Sequence, residues 1–183
     1  MACGHEASAR KNQKMDVKLT GLVQSLVNRP PHSVPGTAVF FTSEPDTAPT
    51  ALLHSLKHYK VLHENNIVLT VKTTDTPSTN DAQKLRITKL SGNFTSIVAS
   101  IGYMETPNVP KLLELAKKDG VITNTMTTSF FLSRRSVQNN SEGGPHAWQN
   151  KLFILMSRNA DDASHYFHLP PDRVVEIGTQ ITI

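Results

Sequence analysis

Two short apolar runs constrain this chain more than any other feature. Ala38-Val39-Phe40-Phe41, inside Thr37 to Thr42, and Ile67 to Val71 are each bounded by polar residues. Runs of this kind suit strands covered on both faces. Between them Leu52, Leu53, Leu56 and Tyr59 recur at helical spacing. Pro45 to Pro49 precedes that stripe, with Asp46 or Thr47 placed as a cap. Strand, helix and strand joined by short connections make a right-handed crossover with parallel strands. The fold must contain that unit.

The other segments extend it into a mixed sheet. Leu19, Leu22, Val23, Leu26 and Val27 share one face of a helix spanning Asp16 to Val27. Asn28-Arg29-Pro30-Pro31 ends it, and Pro30 to Pro35 has the character of an extended linker. Thr73 to Asp81 is a polar loop. Leu85 and Ile87 alternate with polar positions, Ser91-Gly92-Asn93 is turn chemistry, and Phe94 to Tyr103 is strand-like. Together these predict an antiparallel hairpin.

Thr106-Pro107 opens a further helix, capped by Thr106, with Val109, Leu112, Leu113 and Ala116 on one face and Gly120 as its stop. Thr125 to Leu132 predicts a strand, and Gln138 to Ala147 a loop. Trp148, Leu152, Leu155 and Met156 form a helical stripe. Asp161 to Phe167 suggests a short helix, and Val174, Val175, Ile177 and Ile181 a last strand. The expected class is α/β: a single domain with a mixed parallel/antiparallel sheet flanked by helices. Its parts are a flexible tail (1–15), an amphipathic helix and linker (16–33) and the α/β domain (34–183).

Composition excludes several classes. The longest clean apolar runs are five residues, such as Leu152 to Met156, whereas a spanning helix needs ~20. Cys3 is the sole cysteine, so neither an internal disulfide nor a cysteine-based metal site is expected. The formal charge is +4, but the basic residues form no long run; the nearest cases are the pairs Arg10-Lys11, Lys117-Lys118 and Arg134-Arg135. No basic stripe points to nucleic acid as a partner. Residues 1–15 lack the apolar stretch of a secretory signal.

No common catalytic motif is present: there is no Gly-x-Ser-x-Gly elbow and no glycine-rich phosphate loop. His63-Glu64 begins like a zinc-protease motif, but Ile67 stands where its second histidine would be. His54 and His58 share a helical face, on the side away from the leucines, and two ligands are too few for a metal. His165 and His168 flank aromatic residues and suit packing or surface positions. No cofactor is expected. Glu105-Thr106-Pro107-Asn108 marks a helix N-terminus, which could attract an anion or simply be capped. Thr128 and Ser129, followed by Arg134 and Arg135, offer hydroxyls and guanidiniums suited to a phosphate group.

Six ordered blocks together carry a family resemblance. They are Val34-Pro35-Gly36-Thr37-Ala38-Val39-Phe40; Leu56-Lys57-His58 with Val61-Leu62-His63-Glu64; Gly102 to Val109; Thr128 to Ser133; Lys151-Leu152-Phe153 with Arg158-Asn159-Ala160; and Pro170-Pro171 through Gln180. From about Asp16 onward the chain resembles the C-terminal cytoplasmic domain of Kup-type (KUP/HAK/KT) potassium uptake proteins. Ser33 departs from the arginine common there. The resemblance implies a non-catalytic regulatory and assembly domain of a potassium–proton symporter, at the cytoplasmic face of the inner or plasma membrane. Its partner would be the membrane transport domain, absent from this chain, either because this is an excised domain or because it is a short reading frame. A homodimer and a cyclic dinucleotide are further partners the resemblance allows. The alternative is a free-standing nucleotide-binding protein, for cyclic di-AMP or ATP, using Thr128, Ser129, Arg134 and Arg135. A helix awaiting its partner would be partly exposed along Leu19 to Val27.

Overall fold

A computed structural model describes residues 17–138 and 163–182. The elements run α1 (Leu19–Asn28), β1 (His32–Phe41), α2 (Thr50–His58), β2 (Val61–Thr74), α3 (Asp81–Lys84), β3 (Leu85–Lys89), β4 (Phe94–Gly102), α4 (Val109–Lys118), β5 (Thr128–Gln138), α5 (Ala163–Tyr166) and β6 (Val174–Thr182). They build one six-stranded sheet in the order β3-β4-β2-β1-β5-β6. All neighbours are parallel except β3 and β4, the expected antiparallel hairpin. The chain winds outward from β1 to β2 and β4, then crosses back to β5 and β6. Helices therefore lie on both faces, the α/β architecture that the first crossover demands.

Each apolar run divides its side chains between two cores. Ala38, Phe40, Val68, Phe94 and Phe131 face Leu19 and Val23 of α1 and Ala51 and Leu52 of α2. Val39, Ile67, Leu69, Ile97, Phe130 and Leu132 face Val109, Leu112, Leu113 and Ala116 of α4. Alternation along strands buried on both sides produces this division. Phe40 and Phe131 stack with ring centroids 4.8 Å apart across the β1–β5 pair, a contact favoured beyond its buried area.

The structure departs from the sequence expectation at several boundaries. His32, Ser33 and Val34 pair with Val61, Leu62 and His63, so the expected linker is already strand. The register shifts between Val34 and Thr37. That irregularity absorbs Pro35, which has no N–H for a ladder, and Gly36, whose φ is +108°. A Cβ on Gly36 would also stand 2.9 Å from the Thr127 carbonyl oxygen. β2 begins six residues before the apolar run, carrying polar His63, Glu64, Asn65 and Asn66 in its first half.

Neither Asp46 nor Thr47 caps α2; Pro49 holds the N-cap position without a side-chain bond. The loop instead anchors α1: Leu19 N–H donates to the Asp46 carbonyl at 2.8 Å, and Ala48 N–H to the Val17 carbonyl at 2.8 Å. Tyr59 is 65 % exposed because the helix stops just before it. Asn108, not Thr106, caps α4, its Oδ1 accepting from Lys111 N–H at 3.1 Å. β4 stops at Gly102, and β5 starts after a 3-10 turn at Thr125–Thr127 and continues past Leu132. The expected loop after Gln138 and the Trp148–Met156 stripe lie outside the described residues.

Candidate functional site

In a sheet wound in both directions from one strand, ligands bind at the strands' C-terminal edge, near the point where winding reverses. Here that point lies between β1 and β5. Arg134 stands on the part of β5 that overhangs the end of β1. It is exposed and 3.6 Å from the Glu176 carboxylate on β6. Arg135 is next along β5, paired in register with Thr179. Thr128 and Ser129 sit at the other end of β5, roughly 20 Å away at the rise of a strand. The Thr128 hydroxyl is buried and donates to the Asn124 carbonyl at 2.7 Å; Ser129 is half-buried. The structure thus separates the hydroxyls from the guanidiniums.

The helix N-terminus after Glu105 is filled by the chain itself. Asn108 satisfies Lys111, and Val109 N–H donates to the Phe167 carbonyl at 3.1 Å. His168, held at φ 53°, brings its Nδ1 to 3.3 Å from the Pro107 carbonyl. Donors that could have bound an anion are already occupied.

Glu105 performs a different task, which motif reading missed. Its Oε2 accepts from Gly102 N–H at 2.9 Å and from Thr79 N–H at 3.2 Å, and its Oε1 from Lys84 Nζ at 3.1 Å. One carboxylate thereby ties the end of β4 to the preceding polar loop and to α3. The Gly102 bond, then Lys84, hold its carboxyl below the usual range. Burial pulls the Lys84 ammonium down, but its bonds to Glu105 and Asp81 outweigh that and raise it. Gly102 is required because the loop passes directly over it: a Cβ would lie 2.4 Å from the Pro77 carbonyl oxygen. The spacing Gly-x-x-Glu at a strand end was the visible signal; the reach of Lys84 was not.

An open groove of about 400 Å³ runs beside this clamp, lined by Lys84, Glu105, Asn108, Lys111 and Glu114 among others. Its charges alternate in sign and select no single ligand. On α2 the His54 and His58 rings stack at 5.6 Å. His63 lies apart from them, half-buried, its ring 5.8 Å from that of Phe131. Burial lowers its pKa. Among the described residues no group of three His, Cys, Asp or Glu side chains could hold a metal, and no helix is long and apolar enough to cross a membrane.

Comparison with known proteins places these features in one family. Residues 35–183 match the model described as K+ potassium transporter C-terminal domain. A Nitrobacter winogradskyi protein, "Probable potassium transport system protein Kup", is 51 % identical over 174 residues, covering 95 % of this chain and 27 % of that one. A Rhodopseudomonas palustris protein, "Probable potassium transport system protein Kup 2", is 51 % identical over 94 % of this chain and 28 % of its own. A Brucella anthropi relative is 50 % identical over 94 % of this chain and 27 % of its own. No solved structure matches. The chain spans about a quarter of the length of these curated relatives. It belongs to the K+ potassium transporter C-terminal domain family.

Proposed function

We propose that this domain serves as the non-catalytic regulatory and assembly part of a Kup-type potassium–proton symporter, on the cytoplasmic side of its membrane. The carrying observation is the family match over residues 35–183. The geometry of the charged residues agrees with it: Glu105, Lys84 and Asp81 are engaged in holding a loop, an architectural use. The natural partner is the transport portion that makes up the remainder of the longer relatives.

Rubidium uptake in potassium-uptake-deficient cells tests this reading. The Nitrobacter winogradskyi relative would be expressed whole, without its matching segment, and with that segment replaced by this chain. Replacement should restore uptake that deletion impairs. Uptake indifferent to deletion, or a replacement no better than deletion, would overturn the proposal.

A second reading is a nucleotide site. The exposed Arg134 at the reversal point favours it, with Arg135 beside it in sequence. Thr128 and Ser129 would then have to act from the far end of β5. Calorimetry with cyclic di-AMP and with ATP decides it: binding lost in the Arg134→Ala, Arg135→Ala double variant supports the site, and no heat with either ligand refutes it.

A further inference from the structure

The two edges of the sheet differ in character. α1, α2 and α4 all run against the parallel strands, so all three end at the strands' N-terminal edge. Their ends place Arg29, Lys57, Lys60, Lys117 and Lys118 there. All five are exposed, and none is ion-paired among the described residues. In the sequence they are dispersed; the winding of the chain gathers them. Glu64, Asp119 and Asp172 also lie toward this edge but are outnumbered; the opposite edge mixes Glu44, Asp46, Asp75, Asp81 and Glu105 with Lys72, Lys84, Lys111 and Arg134.

Cations at helix C-termini alone would be unremarkable, since they complement the helix dipole. That reason does not extend to the apolar side chains among them. Val27 is 57 % exposed, Tyr59 65 %, Ile122 72 % and Met126 72 %. Each stands at a helix end or in the turn leading into a strand on this same edge. Tyr103, Met104 and Tyr166 are exposed toward the opposite edge, so what sets the N-terminal edge apart is that its apolar groups stand among unpaired cations. Exposed apolar groups in such a setting mark an interaction surface.

Exposed cations interleaved with large apolar groups match the surface of an anionic bilayer. The ammonium and guanidinium groups meet head-group phosphates, the lysine stems extend through the interface, and the apolar side chains enter the acyl boundary. We infer that the N-terminal edge of the sheet docks on an anionic lipid surface. A transporter domain works beside such a surface, so the inference draws on the proposed function for its setting. The chain before Val17 leaves from the other edge.

Flotation of the 183-residue chain with vesicles tests the surface without any transport, so this inference and the proposed function can fail separately. Vesicles of phosphatidylcholine alone would be compared with vesicles containing one third phosphatidylglycerol. Binding is expected to the anionic vesicles only and to weaken with salt. The Lys57→Glu, Lys60→Glu pair and the Lys117→Glu, Lys118→Glu pair should each weaken it by at least about 25-fold. Ile122→Ser with Met126→Ser should weaken it while preserving the salt dependence. Lys72→Glu with Lys111→Glu, at the opposite edge, should leave it unchanged. Equal binding to neutral vesicles, binding to neither, or an equal loss in the Lys72, Lys111 control would overturn the inference; binding to polyglutamate but to no vesicle would assign the face to an acidic protein instead.

Discussion

Glu105 divides two oxygens among three donors, and that makes one side chain the joint between β4, α3 and the loop from Asp75 to Asn80. Because its folded pKa is depressed, the stability it contributes is complete above its ordinary value of 4.5 and is lost as pH falls through the folded value. Glu105→Gln keeps an acceptor but loses the charge and one strong acceptor oxygen. Amide exchange at Thr79 and Gly102 should accelerate, and the acid limb of the stability profile should flatten. His63 has the opposite chemistry but the same sign. Burial depresses its pKa below 6.5, so the unfolded chain binds the proton more readily. Neutral His63 supports the fold fully above pH 6.5, and that support fades as pH drops below it. The thermal midpoint should therefore fall between neutral and mildly acidic pH, and less steeply in His63→Gln.

At the scale of the element, α1 has two characters. Leu19 and Val23 are buried against the sheet, Leu22 and Leu26 pack partly, and Val27 is exposed. The helix is therefore docked on the domain along one stripe while its far end remains free, which agrees with the partial exposure expected of it. Leu19→Ala should cost about 2–5 kcal/mol in denaturant unfolding, and Val27→Ala less than about 0.5 kcal/mol. Equal effects would mean the helix does not pack as described. Much of this was legible from the chain. The stripe on α1, the α4 face and the β3–β4 hairpin follow from periodicity and turn residues alone. The first half of β2 was not legible, because its polar residues gain a strand conformation from pairing with β1, with β4 joining only at Asn66, a tertiary cause. The caps failed for a similar reason: Asp46 and Thr47 lie in a loop recruited by α1, and Phe167, distant in sequence, satisfies Val109.

For the whole molecule, the first crossover correctly announced the architecture, and winding in both directions did the rest. Strand order was not readable, since no local pattern tells the chain to return across β2 and β1 before laying down β5. The charge distribution was hidden for the same reason. Five cations that form no run in the sequence share one edge only because three helices point the same way. The arrangement of the candidate nucleotide residues was not legible: the arginines lie by the reversal point, while Thr128 and Ser129 lie a strand's length away.

The path of the chain gives this domain a mechanical polarity. Val17, where the described chain enters beside Asp46, and Thr182, where it leaves on β6, both lie toward the C-terminal edge of the strands. Anything joined to either end pulls on the same side. A stiff body held at one side behaves as a lever: a small rotation at the attachment becomes a larger arc at the far edge. The hydrogen-bonded strands run along the arm, the direction in which a sheet bends least readily.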